Sequence, residues 1–369
     1  MGPRIFYSLA HLSDLHLAFE ESAIPPEIWS AYDVGPIDLR QILREANLLS
    51  EADPNGLREA ALFVDRHIRE ASYPMDCLVT GDICTWPYSS TTVRHAYRFF
   101  SGRLPYNGPA AGFPAGMEHQ LILMLGNHDT NLFLADGHYR NSAFQATHGA
   151  AEPTRVLPIP TDHRWIVLFI ARTDFVAAWG WLGLRVPLWT YPAYLRRFQQ
   201  EDAMARAGQN SRLAEKGCDA VTYEKAIKIL VLHHSPLERD LYREISPAEY
   251  QWTQLMGRAR VQQFAREIGI HIVAFGHTHE NLTLLDTGTL YVDAGTASAY
   301  TLEDFEKEYA THKRARPCTV NIYEFWDDDR LVVKPFVMEG DTYRFMPRSE
   351  TTFRLGRDGV AMIPSVTKA

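Results

Sequence analysis

Five short apolar runs, each closing on aspartate, histidine or asparagine, constrain this chain more than any other feature of its sequence. Residues 5–12 lead into Ser13-Asp14-Leu15-His16, and residues 77–80 into Gly81-Asp82. Residues 120–125 lead into Gly126-Asn127-His128-Asp129. Residues 226–232 then lead into His233-His234-Ser235-Pro236, and residues 271–275 into Gly276-His277-Thr278-His279. Runs of about four to eight β-branched or leucine-rich residues, bounded by turn formers, are the pattern of buried strands. Helical periodicity fills gaps between them over residues 55–72, 89–101 and 258–269. Strand, loop and helix in alternation predict an α/β architecture whose strands present their polar ends at one sheet edge.

Composition sets the limits of that plan. With 369 residues, 46% hydrophobic and 22% charged, the chain has the make-up of a folded globular protein. It is long enough to bury a core without disulfides. Cys77, Cys84, Cys218 and Cys318 are scattered and show no CxxC spacing. That pattern speaks against a disulfide framework or a zinc–thiolate site and fits a reducing, cytoplasmic setting. The N-terminus has no long apolar stretch before a small-residue cleavage site. Pro3 and Phe6 fit poorly with a myristoylation signal at Gly2. No apolar run approaches the ~20 residues that a membrane-spanning helix needs. A net charge of −8 disfavours a protein that grips long nucleic acid by its phosphates.

Two connections exceed the usual length. One covers about residues 19–55, with Pro25-Pro26 and Trp29; the other covers about 179–217, rich in Trp, Tyr and Arg, with a helical reading over 192–215. Both are expected to border the site, with peripheral packing as the alternative. Beyond Thr296 the pattern predicts a short helix over 302–309 and then strands over 319–326 and 331–338, joined by Asp327-Asp328-Asp329. This hairpin is expected to complete a second sheet. Residues from 345 onward read as loosely structured, which divides the chain into a main domain over 1–340 and a C-terminal tail over 341–369.

Singly, the polar clusters say little, because Asp-x-His is common by chance. Together they offer three carboxylate or amide oxygens and four imidazoles, with no thiolate. Such a donor set suits divalent ions of intermediate softness, and a pair of ions sharing a water. In the ordered set Asp14-x-His16, Gly81-Asp82, Gly126-Asn127-His128-Asp129, His234-x-Pro236 and Gly276-His277-x-His279, the chain resembles the calcineurin-like metallophosphoesterase family. The resemblance covers about residues 5–296. It implies a four-layer αββα sandwich of two mixed β-sheets flanked by helices, with residues 1–340 as its catalytic domain. It implies Asp14, His16 and His279 on one metal ion, Asn127, His234 and His277 on a second, and Asp82 bridging the two. Manganese, iron and zinc all suit these ligands.

Of the neighbouring histidines, the family spacing of ligand, any residue, proline selects His234. Strand alternation points adjacent side chains to opposite faces, so His233 is expected to stand behind the site. Ions about 3.5–4 Å apart lower the pKa of a shared water, so that a bridging hydroxide can attack phosphorus. His128 would assist the leaving group, with Asp129 orienting it. His11, three residues before Asp14, reads as buried structure, Cys84 as a small core residue and Lys313-Arg314-Ala315-Arg316 as solvated surface.

Departures within the family narrow the expectation. Gly81-Asp82-Ile83-Cys84-Thr85 lacks the Asp-Arg-Gly extension of serine/threonine protein phosphatases. Thr85 stands where purple acid phosphatases carry an iron-binding tyrosine and double-strand-break repair nucleases a histidine. The chain looks most like the bacterial phosphodiesterase branch, which acts on cyclic nucleotides, glycerophosphodiesters or related small diesters. Trp179, Trp181, Trp189 and Tyr191 could stack a base or enclose a lipid or glycerol group, or simply pack. Two alternatives stand beside this reading: a nuclease acting on DNA or RNA ends, and a non-catalytic interaction protein on the same fold.

Overall fold

The computed structural model describes residues 2–15, 54–83, 121–124, 126, 154–171, 190–242, 255, 257–297, 318–339, 344–357 and 359–363. The five apolar runs are strands: β1 (Ile5–Leu12), β2 (Met75–Thr80), β3 (Leu121–Met124), β6 (Ile227–Val231) and β7 (Ile272–Phe275). Between β3 and β6 lie β4 (Thr154–Ile159) and β5 (Ile166–Ala171), and beyond β7 lie β8 (Asn281–Asp286) and β9 (Thr289–Ala294). The chain ends in β10 (Thr319–Trp326), β11 (Arg330–Glu339), β12 (Arg344–Pro347), β13 (Thr351–Leu355) and β14 (Val360–Met362).

These strands form two mixed sheets. The first runs β14-β13-β11-β10-β1-β2-β3, with β12 also paired to β11; the second runs β4-β5-β6-β7-β9-β8. Both have a parallel heart, β1-β2-β3 in one and β5-β6-β7-β9 in the other, with antiparallel strands at the flanks. The predicted hairpin β10–β11 forms, but β10 pairs with β1 and so extends the first sheet rather than completing a second. The stretch expected to be loose also joins that sheet, through β12, β13 and β14.

Period-two alternation sorts the side chains into layers. In β5, Ile166, Leu168 and Ile170 face the first sheet, while Val167, Phe169 and Ala171 face outward. In β2, Leu78 joins the layer between the sheets, while Cys77 and Val79 face outward. The two sheets thus share one apolar filling, and each needs a cover on its other face. Helix α1 (Pro54–Glu70) covers the first sheet through Ala60, Ala61 and Val64, the one-turn spacing of an amphipathic helix. It also supplies the crossover that the parallel pair β1–β2 requires.

The second sheet is covered by α2 (Thr190–Arg206), α3 (Ser211–Glu215), α4 (Ala220–Glu224) and α5 (Arg258–Ile268). In α5, Val261, Phe264, Ala265 and Ile268 form the buried stripe. The single helix read over 192–215 is broken at Gly208, in the left-handed conformation, and restarted by Asn210, whose side chain accepts from the Leu213 amide. The described part of the 179–217 insertion packs on the outer face of the second sheet through Leu195, Phe198 and Leu213. No described helix is long and apolar enough to cross a membrane. Nearly all of the 19–55 connection, the predicted helices over 89–101 and 302–309, Cys84, Thr85, Trp179, Trp181, Trp189 and the 313–316 basic stretch lie outside the described residues.

Candidate metal centre

The parallel strands of both sheets end together, and the site lies at that shared end. Asp14 follows β1 and Asp82 follows β2, both in the first sheet; His233 and His277 follow β6 and β7 in the second. One ligand-capable atom from each of these four residues lies within 4.8 Å of all the others. That span is little more than twice the about 2.0–2.2 Å of a metal–nitrogen or metal–oxygen bond. The expectation of one sheet edge is thus corrected to two edges facing each other.

The local backbone is bent to make this convergence possible. Among the described residues, six non-glycine residues have positive φ, and four of them are Asp14 (53°), Asp82 (48°), His277 (71°) and His279 (58°). Left-handed backbone costs a side-chain-bearing residue about 1–3 kcal/mol, and such strain collects at functional sites. Two glycines allow the close approaches. A Cβ on Gly126 would lie 2.2 Å from Asp82 Oδ1, and one on Gly276 would lie 1.8 Å from Ser13 Oγ and 2.6 Å from Asp14 Oδ2. Both clashes are too severe to relax locally.

Each acid is gripped by the opposite sheet. The His277 amide donates to Asp14 Oδ2 at 2.7 Å, and His279 Nε2 lies 3.2 Å from Asp14 Oδ1. Burial opposes ionisation of Asp14, but the neighbouring His279, and beyond it His233, hold its carboxyl well below the usual carboxylate range. His233 Nδ1 lies 2.8 Å from the Thr80 carbonyl, so this nitrogen carries a proton and donates it. Its Nε2 is thereby aimed at Asp82 Oδ2, 3.1 Å away. Burial disfavours the imidazolium of His233, yet Asp82 raises its pKa to about 9.

A positive charge is therefore favoured between Nε2 of His233 and Asp82, whether a proton or a cation supplies it. His277 gives the second sign. Burial pushes its imidazolium down, and both ring nitrogens are buried without a hydrogen-bond partner among the described residues. Its Nδ1 lies 3.8 Å from Asp82 Oδ2, too far for a hydrogen bond. Buried imidazole nitrogens in such a position, facing two carboxylates, fit a divalent ion.

The structure brings Asp14, Asp82, His277 and His279 close together. The histidine pair lies beside them. His233 is fully buried in the cluster against Asp82, while the His234 ring stands 5.1 Å from that of His233 and 4.3 Å from that of His277. The alternation argument does not apply here because β6 ends at Val231, leaving both histidines in irregular chain. The strand ends one residue before the apolar run does, a difference that no pattern in the sequence marks. His16, Asn127, His128 and Asp129 lie outside the described residues. His11 is buried as expected, between the Tyr323 hydroxyl at 2.5 Å and Thr80 Oγ1 at 3.0 Å.

The family profile for calcineurin-like phosphoesterases matches residues 7–281. No curated protein matches the chain in sequence. Among solved structures, a Staphylococcus aureus protein with a provisional 5'-nucleotidase designation is 13% identical, with a TM-score of 0.42 over 94% of this chain and 53% of that one. This chain thus spans about half the length of that protein. Vps29 from Cryptosporidium parvum is 10% identical, with a TM-score of 0.38 over 95% of this chain and all (100%) of that one. An uncharacterised protein from Streptococcus pneumoniae, described as a predicted phosphoesterase, is 11% identical, with a TM-score of 0.34 over 96% and 99% of the two chains.

Proposed function

The chain belongs to the calcineurin-like phosphoesterase family, and on that premise we propose that it is a metal-dependent hydrolase acting on a small phosphodiester through a two-ion site. The observation that carries this reading is the convergence of Asp14, Asp82, His233 and His277 from two sheets onto one point. Asp14 and Asp82 would give oxygens, with Asp82 between the two ions, and His277 and His279 would give nitrogens. His16 and Asn127 fill the remaining positions that the family spacing implies. Of the neighbouring pair, His233 takes the position beside Asp82, and His234 stays a candidate for the second ion. Bound there, divalent ions supply Lewis-acid charge to the phosphate oxygens and an activated water near neutral pH.

The chain's own part is orientation and proton placement. The Thr80 carbonyl fixes the tautomer of His233 and directs its Nε2 toward Asp82. Asp14 is oriented by the His277 amide, so the two halves of the site position each other. His128, oriented by Asp129, would hold a proton near the departing oxygen of the ester. A diester carries one negative charge and a poor leaving group, so this proton matters most for that substrate class. Manganese, iron or zinc would serve as the ions, and a small diester such as a cyclic nucleotide or glycerophosphodiester as substrate.

The test is elemental analysis of manganese-reconstituted protein, followed by hydrolysis of bis(4-nitrophenyl) phosphate against 4-nitrophenyl phosphate. Two ions per chain, faster turnover of the diester, and loss of both properties in Asp82→Ala are expected. A single ion per chain defeats the dinuclear site, a monoester preference defeats the diester assignment, and bound metal without any turnover defeats the enzyme.

A further inference from the structure

Beneath the two histidine-bearing loops, a chain of buried hydroxyls ends on the carboxyl group of Asp293. Asp293, near the end of β9, is fully buried. Its Oδ2 accepts from the Thr278 hydroxyl at 2.5 Å and from the Tyr242 hydroxyl at 3.2 Å. Its Oδ1 accepts from the Gly295 amide at 3.0 Å. The Tyr242 oxygen lies 2.6 Å from Ser235 Oγ, which accepts from the Leu237 amide at 3.1 Å. One arrangement of protons satisfies every member: Ser235 donates to Tyr242, while Tyr242 and Thr278 donate to Asp293.

The sequence positions give this network its meaning. Ser235 immediately follows His234, and Thr278 separates His277 from His279. The carboxyl group reaches the Ser235 loop through Tyr242 and the Thr278 loop directly, and its side-chain hydrogen bonds among the described residues come from Thr278, Tyr242 and Gly295. We propose that Asp293 is the positioning residue of this centre, holding the loop of residues 233–236 and the loop of residues 276–279 in mutual register and so setting the affinity for divalent ions. The proposal rests on the metal reading given above.

Two physical arguments carry it. His277 and His279 both hold left-handed backbone, which persists only where the surroundings over-determine it, and Thr278 between them is anchored to Asp293. A carboxyl placed in an apolar core for packing alone is strongly disfavoured; this one is kept because three donors converge on it. Outer partners of this kind orient metal-binding imidazoles.

Manganese affinity of the full-length protein, by titration calorimetry with circular dichroism as a check on folding, decides the matter. Thr278→Val keeps the side-chain volume and removes the hydroxyl; Thr278→Ser keeps the hydroxyl and removes the methyl. The valine variant is expected to keep its dichroism spectrum and to bind manganese about 10–100-fold more weakly, the range typical of lost outer partners. The serine variant is expected to stay near wild type. Asp293→Asn cannot accept from both hydroxyls and the Gly295 amide at once, and is expected to weaken binding as the valine does. Wild-type affinity in Thr278→Val, or weaker binding in the serine variant than in the valine variant, overturns the proposal by making Thr278 a packing residue. If Asp293→Asn fails to fold, the Thr278 pair decides alone. Wild-type protein that takes up no manganese defeats the metal reading itself, and the proposal with it.

Discussion

Single residues in this molecule show how far surroundings decide protonation. Burial pushes the His11 imidazole from its ordinary value of 6.5 down to about 3, against the weaker opposing pull of Asp14. The unfolded chain takes up this proton near pH 6.5, and the folded one resists it until about pH 3. The unfolded state therefore holds the extra proton between those values, and stability falls as pH falls through that window. His11→Gln keeps a donor and an acceptor for Thr80 and Tyr323 but cannot titrate. Measured by urea denaturation, the stability difference between wild type and variant should change by about 1.4 kcal/mol per pH unit between about pH 6 and 4. A difference that stays flat would show that His11 is not held neutral. At this scale Asp14, Asp82, His277 and His279 were readable because short fixed spacings tie them to strand ends. The place of His233 was not, since it depends on where β6 stops, and a one-residue boundary lies within the noise of any pattern of apolar residues.

Elements are readable when their pattern is local and obscure when their partner is distant. The alternation in residues 319–338 announces a hairpin, but nothing within it says whether it joins β1 or another strand. The strands β12 and β14 carry few buried residues, so the periodicity that reveals β2 or β5 is missing there. The outer helical layer hides a comparable surprise. Lys228, which interrupts the apolar run of β6, is buried under α2 with its Nζ 2.6 Å from Asp202 Oδ1 and 2.9 Å from the Ile268 carbonyl. Asp202 also accepts from the Tyr223 hydroxyl at 2.7 Å and from Arg206 Nε at 2.8 Å, which joins α2 and α4 to the sheet. Removing one member of a buried pair leaves a charge without its partner. Asp202→Ala should therefore lower stability by about 3–5 kcal/mol, while Asp202→Leu combined with Lys228→Met should recover most of the loss. Denaturant midpoints check both. Equal losses in the single and double variants would mean that packing, rather than charge, governs this contact.

For the whole molecule, the cluster of Asp14, Asp82, His233 and His277 draws equally on the two sheets, and an unfolded chain cannot assemble it. Asp14 and His277 are 263 residues apart, yet they are joined by a hydrogen bond. Manganese at about 100 times its dissociation constant should then add about 2.7 kcal/mol to the free energy of unfolding. Urea denaturation with and without manganese reads this directly. An unchanged midpoint, or the same gain in Asp82→Ala, would disconnect the cluster from metal binding. The central position of β1 has a further outcome during synthesis. Its β10 neighbour lies at the far end of the chain, His11 and Tyr323 being 312 residues apart. At about 5–20 residues per second, a ribosome delivers that strand roughly 15–60 s after the first. Through that interval the nascent polypeptide carries an apolar strand with one open edge, so interrupted translation should yield fragments that aggregate or depend on chaperones.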